Sequence, residues 1–299
     1  MISLGVVGCG RVGSALARAI NASPHLLLGV ADRASEPAHR LANQVDTTVM
    51  APVDLLHRAD VTVIAVPDDT IASLADLLTH QLAHGLRGDD EGRARAVVHT
   101  SGASSPDALA PLAAAGWSIG SWHPLQAFPT LRTPLEPGIT WAITAPEPLA
   151  VTLERVTLDL EGRPLALPAD RKPLYHAAAV VAANYTVTLL AHAAALLGDC
   201  GLPQDEALAA LLPLLRTTLA GLREAGLPDG LTGPLARADL GTISVHLRAL
   251  RNHPDTAALY RAAGLATLPV LTQRGLDTSQ VEAIRALLTA IDPDAGSGG

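Results

Sequence analysis

Lys172 is the only lysine in the chain, against 20 arginines. Arginine cannot release its proton, whereas a buried lysine shifts its pKa and exchanges one. A lysine kept in a chain that otherwise prefers arginine therefore points to proton donation, as to a carbonyl during hydride transfer. Pro173 follows it, and proline suits a first helical turn, where its missing N–H costs little. Lys172 then starts a helix, with His176 one turn on. At about 100° per residue the two differ by about 40° and share a face. Asn184 lies about 80° further round on the same wheel, close enough to line the same groove and orient a carbonyl. A third polar knot, Thr232 to Asp239 (TGPLARAD), holds Arg237. Arg237 can clamp a substrate carboxylate or pair with Asp239.

Gly8-Cys9-Gly10-Arg11-Val12-Gly13 fits G-x-G-x-x-G between a strand and a helix. In such a loop Gly8 permits the tight turn, Gly10 lets a pyrophosphate approach the backbone, and Gly13 lets helix and strand pack closely. Free N–H groups at the helix start, from Arg11 and Val12 onward, hold phosphates. Asp32, at the end of the second strand, suits the ribose 2′-OH of NAD. Arg33 beside it suits the 2′-phosphate of NADP. The balance leans to NADP, with NAD possible.

Ligands of open α/β sheets bind outside the carboxyl ends of the strands. Three such ends carry polar residues. Val66-Pro67-Asp68-Asp69 follows one strand, with Val66 and Pro67 placed to shape the loop against a cofactor and both carboxylates placed to cap the next helix. His99-Thr100-Ser101-Gly102 ends another, putting Ser101 near a nicotinamide. Ser121 to Phe128 (SWHPLQAF) follows a third, where His123 can bind or protonate a substrate carbonyl with Gln126 beside it. The alternative for His123 is the capping of backbone groups at a domain junction packed by Trp122 and Phe128.

The elements that must position these residues alternate between strand-like and helix-like runs. Strands are expected at Ile2 to Val7, Leu26 to Ala31, Thr47 to Met50, Val61 to Val66 and Ala96 to His99, with shorter ones at Trp117 to Ser121, Thr140 to Thr144 and Arg163 to Leu167. Helices are expected at Ser14 to Asn21 and Ala38 to Val45. This is the βαβ pattern of a mostly parallel sheet. After Pro168 the chain is Ala/Leu-rich at helical spacing, broken at 198–203, 226–233 and 253–254. The expected architecture is thus an α/β Rossmann domain, residues 1–168, followed by an all-α domain, residues 169–292, and a disordered tail, 293–299. The polar run 87–95 reads as an exposed loop.

Composition narrows the function. The hydrophobic share of 48% and charged share of 17% suit a packed globular chain. A net charge of −8 leaves no basic footprint for nucleic acid. Two cysteines exclude a disulfide scaffold or a thiolate zinc cage, and no metal is expected. The stretch Ala177 to Leu197 is interrupted by polar residues and reads as a buried helix rather than a membrane span. With no signal peptide pattern, a cytoplasmic location is expected.

The motifs GCGRVG, HTSG, HPLQAF (His123 to Phe128), KPLYHAAAVVAANY (Lys172 to Tyr185) and TGPLARAD (Thr232 to Asp239) resemble those of Rossmann-like proteins carrying the DUF2520 domain, over nearly the full length. That group looks like a branch of the 6-phosphogluconate dehydrogenase-like superfamily, with β-hydroxyacid dehydrogenases, ketopantoate reductases and pyrroline-5-carboxylate reductases. The resemblance implies a helical domain that often dimerises and an active site in the cleft between domains. In the β-hydroxyacid and ketopantoate branches an early helical-domain lysine, matched by Lys172, assists hydride transfer. An asparagine one turn later is replaced here by His176. His123-Pro124 is similar to the His-Pro of prephenate dehydrogenases. The expected activity is NAD(P)H-dependent reduction of a small, ketopantoate-like 2-oxo acid. The alternatives are an imine (pyrroline-type) reductase, a prephenate-type dehydrogenase, or a catalytically silent NADP-binding protein. Expected partners are a small-molecule substrate and a second copy bound through the helical domain, with neither nucleic acid nor membrane.

Overall fold

The computed structural model describes residues 1–84 and 95–290. The expected tail and nearly all of the expected exposed loop lie outside them. The chain divides into two compact units, the first ending at Tyr185 and the second starting at Thr186.

The first unit carries one seven-stranded sheet. It begins with β1 (Ser3–Val7), α1 (Arg11–Asn21), β2 (Leu26–Ala31), α2 (Ser35–Gln44), α3 (Pro52–Arg58), β3 (Val61–Ile64) and α4 (Ile71–His84). Then come β4 (Ala96–His99), α5 (Ala110–Ala114), β5 (Ser118–Pro124), β6 (Thr140–Thr144), α6 (Leu149–Asp159), β7 (Arg163–Ala166) and α7 (Lys172–Ala179). The strand order is β2-β1-β3-β4-β5-β6-β7. All neighbours are parallel except β5 and β6, which run antiparallel.

Alternation along the strands divides the core in two. Leu4, Val6, Val61, Val63 and Val98 pack with Leu16, Ile20 and Leu41 of α1 and α2. Val7, Ile64 and Val97 pack with Leu55 and Leu56 of α3 and Ile71 and Leu78 of α4. Successive side chains of a strand point to opposite faces, so burial on both faces turns these strands into continuous apolar runs.

Two expectations about strands need correction. Thr47 to Met50 forms no strand, only an isolated bridge from Val49 to Val30, because four residues after a helix supply too little paired backbone. β5 also runs past Ser121 through Pro124, held by pairing of His123 with Ala142 on β6. His123 therefore sits on a strand rather than in the loop after one. Trp122 is fully buried, stacked on Trp141 at 4.3 Å between ring centroids and donating from Nε1 to Thr157 Oγ1. It belongs to the sheet core.

The second unit holds α8 (Tyr185–Asp199, its first residue still in the first unit), α9 (Gln204–Ala225), α10 (Leu240–Ala249), α11 (Pro254–Gln273) and α12 (Thr278–Thr289). Its breaks fall where glycine and proline predict them, and Gly226 takes the positive φ of a helix terminator. Ile243, Leu268, Leu271, Val281, Ile284 and Leu288 form its core, all from α10, α11 and α12. By contrast α8 and α9 bury one residue each, Ala194 and Ala207. The helical stretch Ala169–Asp199 is thus largely exposed, not buried as its sequence suggested, and leaves Leu174, Val181, Val187 and Leu189 uncovered. It is long and apolar enough to cross a membrane by length and composition alone. Small alanines and valines packed into a helix need a neighbour to become core, and the stretch has little such cover among the described residues.

Candidate active site

The glycine loop is built by sterics. Gly8 has φ +102°, a conformation that L side chains rarely adopt. A Cβ on Gly13 would lie 1.8 Å from the Gly8 carbonyl oxygen. A Cβ on Gly10 would meet nothing within 4 Å, so protein packing places no demand for glycine there. The glycine leaves open space at the start of α1, whose first N–H groups receive no side-chain cap. That combination fits a phosphate group approaching the backbone. Arg11 and Val12 open the helix, and Arg11 Nη1 reaches the Pro129 carbonyl at 3.5 Å.

Asp32 accepts from the Cys9 N–H at 2.7 Å and the Ala34 N–H at 2.9 Å, one bond to each carboxylate oxygen. It braces the glycine loop against the end of β2. Arg33 beside it is exposed. Val66 and Pro67 follow β3, half-buried and exposed, with Gly8 packed against the Ala65 carbonyl.

Asp68 does not cap a helix with its side chain as expected. Its carboxylate accepts instead from Ser101 Oγ at 2.6 Å. Ser101 Oγ in turn accepts from the N–H groups of Ala103 and Ser104. The parallel register of β3 on β4, with Ile64 beside His99, brings these two loop starts together. His99 is buried between the Ser101 N–H and the Ser105 carbonyl. Burial pushes it down to about 4, so it is a neutral structural ring.

Lys172 has no exposed surface. Its ammonium donates to the Ser101 carbonyl at 3.0 Å and to Ser121 Oγ at 2.6 Å, tying the start of α7 to the ends of β4 and β5. Burial lowers it to about 8, while Asp68 opposes the shift. His176 shares its face, as the one-turn spacing predicts. Both turn toward the strand ends, and His176 Nδ1 is buried with no hydrogen-bond partner among the described residues.

His123 on β5 meets the same place. A Cβ on Gly102 would lie 2.6 Å from His176 Nδ1 and 2.9 Å from His123 Nε2. Two ring nitrogens therefore converge on one point beside a glycine. On its other side His123 Nδ1 lies 2.8 Å from the hydroxyl of Tyr175, with the rings edge to face. Burial, then the Lys172 and His176 charges, push His123 down to about 4. Burial pushes Tyr175 up to about 12. The two rings pack closely on Gly102, leaving no room there for a methyl group.

The other expected site residues are Gln126, Asn184 and Arg237. Gln126 donates to the Pro134 carbonyl and accepts from the Glu136 N–H, so its amide closes a loop. Asn184 is exposed at the end of a π-helical turn, Val180–Asn184. That turn alters the residues per turn, so the wheel angle from His176 no longer applies. Arg237 lies in the second unit, exposed on a short 3₁₀ turn. Asp239 after it caps α10 by accepting from the Thr242 N–H and hydroxyl.

A glycine loop after the first strand and a His–Tyr–Lys cluster after later strands of the same mostly parallel sheet, followed by a helical unit, define a Rossmann-type two-part chain. The chain is a Rossmann-like, DUF2520-containing protein: residues 1–124 match the Rossmann-like domain, and residues 139–267 match the domain of unknown function DUF2520. No curated protein matches it in sequence. Among solved structures it is similar to a candidate NADP oxidoreductase from Bacteroides fragilis, with 25% identity, 88% of this chain and 96% of that one covered, and a TM-score of 0.67. It is also similar to the pyrroline carboxylate reductase of Plasmodium falciparum with NADP bound, at 15% identity, 96% and 98% coverage and a TM-score of 0.59. An imine reductase from Myxococcus stipitatus in complex with NADP+ shares 18% identity, with 96% and 92% coverage and a TM-score of 0.56.

Proposed function

We propose that the chain is an NADP-dependent oxidoreductase that reduces a small polarised double bond, a C=N bond in the first instance. The observation that carries the reading is the packing of two histidines, His123 and His176, on Gly102 after β4, in the same sheet whose first strand leads into a glycine loop left open at Gly10. The glycine-loop amides hold the pyrophosphate. Arg33 holds the 2′-phosphate, and Asp32 keeps the loop in shape. NADPH, when bound, supplies the hydride. His123 donates the proton to the substrate heteroatom, and His176 Nδ1, without a partner among the described residues, accepts a hydrogen bond from the substrate.

The C=N reading draws on the descriptions of the pyrroline carboxylate reductase and imine reductase neighbours. The ketopantoate-like reading drew on Lys172 as a donor to a carbonyl. A lysine with no exposed surface and two internal acceptors does not meet a substrate, so that reading loses its main support. We assign Lys172 a positioning role, fixing α7 on the strand ends.

We further infer a homodimer formed through α7, α8 and α9. Leu174, Val181, Val187 and Leu189, and Leu208, Leu212 and Leu219 of α9, are exposed apolar side chains that such an interface would cover. A soluble dimer fits a cytoplasmic location. The test of the function is oxidation of NADPH with a panel of cyclic imines and 2-oxo acids. NADPH consumption with an imine supports the reading, and tight NADPH binding without turnover on any member opposes it.

A further inference from the structure

We infer that the loop joining β5 to β6, residues 125–139, is a preformed wall of the cofactor site, and that Gln126 and Arg18 are the positioning residues that hold it in place. The inference rests on the reductase reading and adds to it two residues that need touch no cofactor.

The loop contains no strand or helix of its own, so its order must come from side chains that tie its backbone down. Gln126 supplies the main tie. Its Nε2 donates to the Pro134 carbonyl at 2.7 Å and its Oε1 accepts from the Glu136 N–H at 3.0 Å, so one side chain buckles the outgoing limb of the loop to the returning one. A carboxamide carries both functions, which neither a carboxylate nor an aliphatic side chain does. Between the limbs the chain turns at Thr130 and Thr133, which bond each other through backbone and hydroxyl groups. On the returning limb Leu135 packs against the sheet core.

The buckled loop is fastened to α1. Arg18 Nη2 donates to the Thr133 carbonyl at 3.0 Å in a half-buried contact, and Arg11 Nη1 lies 3.5 Å from the Pro129 carbonyl. Arg11 and Arg18 stand seven residues apart on the helix, which puts them on one face and about 10 Å apart along its axis. The loop therefore runs along α1 and reaches the residue that follows Gly10, the end at which the glycine loop is assigned the pyrophosphate. At its own start it leaves β5 just past His123. One segment thus borders the phosphate end of the proposed site and continues from the strand that carries His123.

A wall ordered before the cofactor arrives spares binding the entropy of ordering it. Removing the Gln126 buckle or the Arg18 tie moves that ordering into the binding step, so affinity falls although no cofactor contact is deleted. The 2′-phosphate end, assigned to Arg33 after β2, is spared.

The experiment is calorimetric titration of the full chain with two probes, NADP+ and, at millimolar concentration, adenosine 2′-monophosphate, with folding checked by urea unfolding. Gln126→Leu and Arg18→Met are expected to weaken NADP+ by about five- to tenfold, with adenosine 2′-monophosphate bound as by the unsubstituted chain. Arg18→Lys keeps a donor for the Thr133 carbonyl and is expected to restore most of the NADP+ affinity. In hydrogen exchange the amides of 125–139 should slow when NADP+ binds the unsubstituted chain, and should exchange faster in Gln126→Leu and Arg18→Met without it. Equal weakening of both probes overturns the proposal, because the damage is then to the fold at large. Exchange of 125–139 that ignores NADP+ also overturns it. No NADP+ binding by the unsubstituted chain sinks the reductase reading and the wall with it, whereas NADP+ binding indifferent to both substitutions sinks the wall alone.

Discussion

At the residue scale, Lys172 shows how much one side chain can signal and how much it withholds. Its rarity among arginines drew attention to the start of α7, and its spacing to His176 puts the two on one helix face. What the spacing could not show was depth: the ammonium is enclosed by the Ser101 carbonyl and Ser121 Oγ, which reach it only through the β4–β5 register. A compact ammonium fits that enclosure and a planar guanidinium does not. Lys172→Arg is therefore expected to lower stability by about 1–3 kcal/mol, as overpacked cores do, measured by urea unfolding. The same argument applies to Gly102→Ala, whose methyl would strike both histidines. That variant is expected to keep its fold with a loss of similar size and to lose most of its turnover; turnover at the unsubstituted rate would contradict the site. His99 adds a pH term. Its folded pKa, about 4, lies below the ordinary 6.5, so the unfolded chain takes up a proton first as pH falls. Stability should therefore be full above about pH 6.5 and fall toward pH 4, by up to about 3 kcal/mol from this ring. His99→Gln should flatten that slope in unfolding curves taken at about pH 7.5 and 4.5.

At the scale of elements, periodicity was a good guide wherever the backbone was regular. The strands β2, β4 and β6 begin and end where their apolar runs do. It failed where geometry departed from the ideal period. The π turn at Val180–Asn184 disrupts the projection that placed Asn184 beside His176. β5 continues through His123 because β6 pairs with it, a contact made across many residues of chain. The roles of Tyr175 and Asp68 were hidden for the same reason, since each depends on a neighbour brought by sheet register. The long apolar helix was read as core from its composition, yet it is largely uncovered among the described residues. If a second copy supplies it, Val181→Glu with Leu189→Glu should convert a dimer to a monomer in light scattering, with the first unit still folded. A monomer in the unsubstituted protein, or binding to lipid vesicles in place of self-association, would contradict the dimer.

At the scale of the whole molecule, the order of a Rossmann sheet followed by helices was legible because it rests on local alternation and on glycine and proline at the breaks. The proposed chemistry was legible only to the level of a nucleotide-dependent reductase, since substrate identity depends on side-chain positions that no spacing encodes. The most direct test of the central claim is NADPH oxidation with 1-pyrroline, followed at the nicotinamide absorbance for the unsubstituted chain and His123→Ala. The account predicts substrate-dependent oxidation that falls by about two orders of magnitude or more in His123→Ala, the range for loss of a general acid, with NADPH binding retained. Turnover unchanged in His123→Ala, or NADPH bound with no oxidation by any imine or 2-oxo acid, would contradict it.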